Sequence, residues 1–301
     1  MIDQNQQAMT KPMAAPKPHV AVPCAAILGE SVTWHAREGA LYWVDIRAPA
    51  LHRLEPGTGA HRIWPMPDLC CGVVPAARGV IVALRTKLAR FDPAIGQPEP
   101  FLEVERDTGA NRLNEMKCDA KGRLWVGSMT DFGVATTGSL YVVETSAPPR
   151  AVLTGIAVPN SLAWSPDGTG LYFADTPTGV IVRYDFNPEA GTLGARHVTF
   201  GSLERGRPDG CAMDTEGYVW STRYGAGRVI RFAPDGREDM TIELPVSQPT
   251  SCTFGGPTRS TLYITTARQR LTPEELERQP LAGHLFAVDL TIIGVPDHAF
   301  T

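Results

Sequence analysis

The sequence SLAWSPDGTGLYFAD, residues 161–175, contains two short β-strand patterns separated by a tight turn. Residues 161–164 and 171–174 are rich in apolar and aromatic side chains, and PDG at 166–168 lies between them. Proline fixes the backbone angle that begins a turn, and glycine accepts the left-handed conformation that a tight turn needs. The stretch therefore predicts a β-hairpin.

The same strand–turn–strand pattern occurs five more times along the chain. The copies are SVTWHAREGALYWVD from Ser31, GVVPAARGVIVAL from Gly72, EMKCDAKGRLWVGS from Glu115, GCAMDTEGYVWST from Gly210 and SCTFGGPTRSTLYIT from Ser251. Most are followed by a third strand pattern that ends in another turn. The chain contains 29 glycines and 26 prolines. This excess favours an all-β chain with many turns over a helical one.

The spacing of the copies predicts a particular all-β architecture. The residues just before the opening strands are Glu30, Cys71, Asn114, Asn160, Asp209 and Thr250, at intervals of 41, 43, 46, 49 and 41. An interval near 44 residues is the length of one four-stranded propeller blade. The sequence therefore predicts a single six-bladed β-propeller over residues 20–301. The segment after His19 is expected to pair with HLFAVDL, from His284, and so to close the circle.

The remaining segments give simpler predictions. Residues 1–19 are polar and rich in Pro and Gln, which indicates a flexible tail without a signal peptide or a membrane span. Residues 272–279 carry a helical capping box, with Thr272, Pro273 and Glu275 at its defining positions.

Charge and cysteine usage exclude several classes of protein. Lys and Arg total 28 and Asp and Glu total 32, which gives a net charge of −4. The chain thus lacks the excess of basic residues that binding to nucleic acid or acidic lipid requires. No apolar run approaches the ~18 residues of a membrane span. The six cysteines form no C-x-x-C pair, which favours reduced thiols in a cytoplasmic protein.

The six residues that precede the opening strands form a predicted ring. Innermost strands line a propeller's channel, so residues at one equivalent position converge there. Five of the six carry a side-chain oxygen, and two of these are carboxylates, Glu30 and Asp209, which repel each other in a low dielectric. A divalent cation would relieve that repulsion, and oxygen ligands suit Ca²⁺, Mg²⁺ or Mn²⁺ while Zn²⁺ and Fe²⁺ also accept them. The pattern predicts a central metal site.

Several motifs, in order along the chain, resemble the senescence marker protein/gluconolactonase (regucalcin-like) family of sugar lactonases. They are LGE ending at Glu30, NRLNEMKCDAKGRLWVGSM from Asn111, PNSLAWSPDG from Pro159, RPDGCAMDTEGYVW from Arg207, SCTFGGPTRSTLYITTAR from Ser251 and PLAGHLF from Pro280. The resemblance implies a six-bladed propeller that holds one divalent cation and hydrolyses a sugar lactone. It implies metal ligands at Glu30, Asn160 and Asp209, with Arg112 and Asn114 facing the substrate.

The chain departs from the family pattern at a few places. Ser31 and Ser161 follow Glu30 and Asn160, where the family often has glycine. A family glutamate that touches substrate has no clear counterpart, and Asp131 lies one position away from it. Because of these departures, the sequence does not identify which lactone is preferred.

The implied reaction opens an aldonolactone to its aldonic acid. The cation would stabilise charge on the carbonyl oxygen, and Asp209 would deprotonate the attacking water, with hydroxide on the cation as the alternative. Two alternative hypotheses are that the propeller is an arylesterase or phosphotriesterase, or that it binds calcium without catalysing a reaction. A serine hydrolase or a zincin is disfavoured, because the sequence has neither G-x-S-x-G nor H-E-x-x-H.

Overall fold

The computed structural model describes residues 17–106, 110–133 and 135–301, and in this part of the chain it is built from six four-stranded antiparallel sheets. Most of the predicted flexible tail therefore lies outside the described residues. The predicted all-β six-bladed propeller is confirmed. No helix in the described ranges is long and apolar enough to cross a membrane.

Each blade runs from an innermost strand to an outermost one. Blade one contains β2 (Gly29–His35), β3 (Ala40–Asp45), β4 (Ala50–Glu55) and β5 (Ala60–Pro65). Blade two contains β6 (Cys70–Pro75), β7 (Val80–Leu84), β8 (Lys87–Phe91) and β9 (Pro98–Glu103). Blade three contains β10 (Asn111–Cys118), β11 (Leu124–Thr130), β12 (Gly138–Glu144) and β13 (Ala147–Ile156).

The other three blades repeat this order. Blade four contains β14 (Pro159–Trp164), β15 (Gly170–Asp175), β16 (Ile181–Asn187) and β17 (Thr192–Phe200). Blade five contains β18 (Arg207–Met213), β19 (Val219–Tyr224), β20 (Arg228–Phe232) and β21 (Glu238–Glu243). Blade six contains β22 (Pro249–Gly255), β23 (Thr261–Thr266), β24 (Leu285–Asp289) and, outermost, β1 (His19–Val22).

The circle closes within blade six. β1 pairs antiparallel with β24, as the sequence predicts, and in the observed register His19 lies opposite Ala287. The α-helix α1, Pro273–Arg278, lies between β23 and β24, and Thr272 caps it through the predicted capping box. Two 3₁₀ turns, Thr176–Thr178 and Leu203–Arg205, are not predicted by the sequence pattern.

Buried tryptophans recur on the second strand of three blades, and two of them have a specific partner. Trp125 Nε1 donates to Asp119 Oδ2 at 3.0 Å, and Trp220 Nε1 donates to Asp214 Oδ2 at 2.9 Å. Each aspartate lies in the turn that precedes its tryptophan's strand, so one carboxylate orders both the turn and the core. Trp43, in blade one, lacks such an aspartate, and its Nε1 has no hydrogen-bond partner among the described residues.

The segment 290–301 forms a strap across the end of the channel formed by the carboxyl ends of the innermost strands. Its backbone bonds to four blades, at Arg259, Met213, Pro75 and Gly122. Asp297 Oδ2 accepts from Thr33 Oγ1 at 2.9 Å, from the Trp34 amide at 2.9 Å and from Thr253 Oγ1 at 2.7 Å. The strap therefore ties blade one to blade six.

We expect Asp297→Ala to lower the free energy of unfolding by about 3 kcal/mol, because it leaves three donors without their acceptor. The Asp297 carboxylate also lies near the buried Lys117 ammonium and helps to raise its pKa against the effect of burial. Urea unfolding measures the change. Asp289→Ala removes an exposed carboxylate that, in the described ranges, accepts a side-chain hydrogen bond only from Thr261, and it should cost less than about 1 kcal/mol. Equal costs for the two variants would contradict the role given to Asp297.

Candidate active site

A cavity of about 260 Å³ opens at the end of the channel opposite the strap. All five residues that the sequence singles out line it: Glu30, Arg112, Asn114, Asn160 and Asp209. They come from blades one, three, four and five, so the propeller brings together side chains that lie up to 179 positions apart in the sequence. Their chemical roles stay predictions.

Of the six predicted ring residues, four reach the cavity and two do not. Cys71 is buried in the hydrophobic core. Thr250 Oγ1 donates to the Gly29 carbonyl at 2.5 Å, which links blade six to blade one. Backbone packing here is tight, since a Cβ atom on Gly210 would lie 2.8 Å from Ser251 Cα. These two ring positions serve packing and closure of the propeller.

Irregular pairing of the innermost strands determines where the ring side chains point. In every blade the register between the first two strands shifts next to the ring residue, between Glu30 and Thr33 in blade one and between Pro208 and Cys211 in blade five. Such a bulge leaves a residue out of the ladder and redirects its side chain. The repeat that builds the blades therefore also places the ring residues in the channel.

Ser31 and Ser161, where the family often has glycine, have backbone φ values of 55° and 53°. This left-handed conformation is unfavourable for a residue with a side chain. Both serines use their hydroxyl groups to bond the next blade. Ser161 Oγ donates to the Asp209 carbonyl at 2.6 Å, and Ser31 Oγ accepts from the Val73 amide at 3.0 Å. The two hydroxyl groups thus link blade four to blade five and blade one to blade two, directly beside Asn160 and Glu30.

The two ring carboxyl groups are buried close to like charges. Burial, followed by repulsion from Glu115, raises the pKa of Glu30 to about 8, and the Arg112 guanidinium only partly offsets this. Burial and repulsion from Glu30 and Glu115 raise the pKa of Asp209 well above its usual range. The protein alone thus disfavours two negative charges here, and a cation would favour them.

Glu115 is a third buried carboxyl group in the channel, and the sequence pattern predicts no role for it. It follows Asn114 on β10 and lies deeper in the channel, beside the strap residue Asp297. Burial is the main cause that raises its pKa to about 7, and Lys117 opposes the rise. Its place directly after a ring residue is the signal that could have identified it.

The two asparagine amides are held in fixed orientations. Asn114 Nδ2 donates to Asn160 Oδ1 at 3.2 Å and to the Pro159 carbonyl at 3.0 Å. Asn160 Nδ2 donates to Thr176 Oγ1 at 2.8 Å, and that hydroxyl donates to the Pro208 carbonyl at 2.8 Å. Because the Asn160 amide nitrogen is engaged by Thr176, its oxygen faces the ring.

Arg112 is fixed by an acid that the sequence suggested only as a possibility. Its Nε donates to Asp131 Oδ1 at 2.8 Å, and its Nη1 donates to Asn114 Oδ1 at 2.7 Å. Arg47 binds the same carboxylate through Nη2 at 2.7 Å. Burial alone would raise the pKa of Asp131, but Arg47 and Arg112 outweigh it and lower that pKa. Asp131 thus lies at the cavity as the anchor of two arginines.

The donor set agrees with a small oxygen-ligated cation. Glu30 and Asp209 offer carboxylates of raised pKa, and Asn160 offers an amide oxygen with one lone pair free of the Asn114 bond. Within the described ranges, no cluster of three or more His, Cys, Asp and Glu side chains is arranged to hold a metal. This set differs from such clusters because its third member is an amide.

Comparison with known proteins agrees with this architecture. The family model for the SMP-30/gluconolactonase/LRE-like region matches residues 28–268. A 6-deoxy-6-sulfogluconolactonase from Pseudomonas putida is 38% identical over 280 residues, covering 91% of this chain and 95% of that protein. A pentonolactonase from Haloferax volcanii is 32% identical over 277 residues, covering 90% and 93%.

A solved structure extends the similarity to the whole propeller. The crystal structure of a calcium-binding protein, regucalcin, from Agrobacterium tumefaciens matches with a TM-score of 0.90 at 28% identity. The match covers 96% of this chain and 97% of that one. The chain therefore belongs to the SMP-30/gluconolactonase/LRE-like family, as its motifs predict.

Proposed function

We propose that this protein hydrolyses a sugar lactone to its aldonic acid in the cavity, with the help of one divalent cation. The observation that carries the proposal is the convergence of two buried carboxyl groups and one oriented amide at the floor of a cavity of about 260 Å³. The relatives named as lactonases of sulfogluconolactone and pentonolactone support the same substrate class.

Glu30, Asn160 and Asp209 would hold the cation. Oxygen-only ligands favour a hard ion such as Ca²⁺, Mg²⁺ or Mn²⁺, while Zn²⁺ and Fe²⁺ also fit, and the structural relative described as calcium-binding supports the first of these. When bound, the ion supplies positive charge next to the lactone carbonyl, where negative charge develops during hydrolysis.

The remaining side chains would bind and orient the lactone. Arg112 donates through Nε to Asp131 and through Nη1 to Asn114 and the Leu113 carbonyl, and from this fixed position at the cavity its guanidinium group would donate to a sugar oxygen. Asn114 has both amide hydrogens engaged, so it would act as an acceptor from a sugar hydroxyl. Holding the ester in a reactive orientation is itself a large contribution to rate.

Asp209 is the group proposed to take the proton from water. In the described part of the chain its carboxylate accepts no hydrogen bond from another side chain, so its oxygens remain available within the cavity. The water oxygen forms a bond to the lactone carbonyl carbon while the ring C–O bond breaks. The ring oxygen then gains a proton and becomes a hydroxyl group of the aldonic acid.

Chelation followed by metal add-back tests the proposal. The protein is stripped with EDTA, and Ca²⁺, Mg²⁺, Mn²⁺, Zn²⁺ or Fe²⁺ is returned in an assay of glucono-, galactono-, arabinono- and xylonolactone. We expect lactone opening to fall at least 100-fold on stripping and to recover with at least one ion.

The same assay separates the rival functions. Faster turnover of phenyl acetate or a phosphotriester than of every lactone would favour the arylesterase or phosphotriesterase alternative. Cation binding by calorimetry without turnover of any ester would identify a non-catalytic calcium-binding propeller. Lactone opening at full rate in the stripped protein would contradict the role given to the cation.

A further inference from the structure

Four arginines line the cavity, and two of them occupy equivalent positions in the repeat. Arg112 and Arg207 each lie two residues before a ring residue, Asn114 and Asp209 respectively. Arg47 follows β3 in blade one, and Arg270 lies between β23 and α1 in blade six. Arg112 is buried and Arg47 is half-buried, whereas Arg207 and Arg270 are exposed and so lie at the mouth of the cavity.

The four arginines differ in whether an acid neutralises them. Arg47 and Arg112 share the Asp131 carboxylate. Arg207 and Arg270 are exposed, and within the described ranges neither forms a salt bridge. Two positive charges on one side of the cavity are therefore available to a ligand.

Tyr224 lies next to both of these arginines. It is the β19 partner of Arg207 in the pairing of β18 with β19. Burial is the main cause of the raised pKa of Tyr224, the Asp209 charge adds to it, and the Arg270 charge opposes it. Arg207, Tyr224 and Arg270 therefore form one cluster at the mouth of the cavity, near Asp209.

The loop that carries Arg270 is fixed in place. The amides of Arg268 and Gln269 both donate to the Ile27 carbonyl, at 3.0 and 2.9 Å, and Gln269 Oε1 accepts from Arg47 Nε at 3.2 Å. Arg270 itself has a φ of 64°, a conformation that costs energy for a residue with a side chain. The loop thus holds Arg270 at the cavity despite this cost.

The formal charges of the lining show what the cavity would accept. Four arginines face three carboxyl groups, those of Glu30, Asp131 and Asp209. The divalent cation of the proposed function would add two more positive charges. The protein as a whole has a net charge of −4, so this positive region is local. A concave positive region concentrates anionic ligands, and guanidinium groups bind oxyanions through paired hydrogen bonds.

We infer that the substrate is a sugar lactone with a fixed oxyanion, a sulfonate, phosphate or carboxylate, at the end remote from the ester, and that Arg207 and Arg270 bind this group. The inference rests on the proposed lactonase function. The ester end lies at the ring, and the anion lies at the mouth, beside the exposed side chains of Arg207 and Arg270. Arg207 and Arg270 would thus determine specificity.

The test compares kcat/KM for glucono-lactone and for analogues that carry a 6-phosphate, a 6-sulfonate or a 6-carboxylate on the same ring. We expect at least one anionic lactone to exceed the neutral one by 30-fold or more, with the excess reduced in 0.5 M NaCl. Arg207→Gln and Arg270→Gln should each reduce the anionic-to-neutral ratio at least 10-fold, and Arg207→Lys should retain part of it. Arg196→Gln, at an exposed position on β17, is the matched control and should leave the ratio unchanged.

The same measurements distinguish loss of the anion preference from loss of lactonase function. If the neutral lactone is opened as fast as all three anionic ones and the arginine variants leave the ratio unchanged, the inference is wrong while lactonase function stands. If no lactone is opened with any cation, the proposed function fails and the inference fails with it.

Discussion

Asp209→Asn is expected to reduce kcat for lactone opening by 10³-fold or more while making the cation-free protein more stable. The amide has nearly the same shape, but it removes one anionic cation ligand and the proposed base, and loss of a general base alone costs about 10²–10⁴-fold. Because burial and neighbouring carboxyl groups raise the pKa of Asp209, a neutral side chain suits the empty site better than a carboxylate. Activity and stability should therefore change in opposite directions.

Steady-state kinetics with excess cation and thermal unfolding in EDTA give the two measurements. Asp289→Asn changes an exposed aspartate far from the cavity and is the matched control, with wild-type values expected for both. Retention of more than a tenth of the wild-type kcat by Asp209→Asn would falsify the role of Asp209. A fall in both activity and stability would instead indicate a structural defect.

Removal of the cation is expected to make stability fall as the pH rises. The pKa of Glu30 is about 8 in the folded protein and near 4.5 in the unfolded chain, so the folded state binds more protons between these values. The protonated carboxyl group stabilises the fold fully below pH 4.5, and this contribution is lost as the pH rises through 8. The loss is on the order of a few kcal/mol, or a decrease of roughly 5–10 °C in the melting temperature between pH 6 and pH 9.

Melting curves in EDTA and in excess cation at both pH values check this. Cation should raise the melting temperature more at pH 9 than at pH 6, because it interacts with the ionised carboxylates. Glu30→Gln should flatten the pH dependence in EDTA. If the EDTA curves of the wild type do not change between the two pH values, the carboxyl groups are not crowded as described.

The nearly regular spacing of the six copies allowed the fold and the ring to be predicted from the sequence. A propeller repeats one local plan, so a residue before each opening strand has to fall in the same layer, and Glu30, Asn160 and Asp209 do. The same logic applied two residues earlier would have matched Arg207 to Arg112. What the spacing could not show is that Cys71 and Thr250 would face the core and the neighbouring blade, because the side chain's direction depends on each bulge.

The rest of the cavity lies in connections that the repeat does not govern. Arg47, Gln269 and Arg270 come from loops whose lengths differ between blades, so no periodic position identifies them. In the sequence, Asp131 lies one position away from the place where the family has a glutamate, whereas in the structure two guanidinium groups determine its place. The strap over 290–301 has almost no strand pattern, because it bonds through isolated backbone contacts with several blades.

The pairing of β1 with β24 also governs the order in which the protein can be completed. These partners are separated by more than 260 positions, and the ribosome supplies β24 last. Until then β1 has no neighbour, and the growing polypeptide exposes a free sheet edge that could recruit another copy. Protection from aggregation during synthesis therefore depends on the last step of translation, in which β24 is made. Slow decoding of codons near residue 285 would prolong the time during which the sheet edge is unpaired.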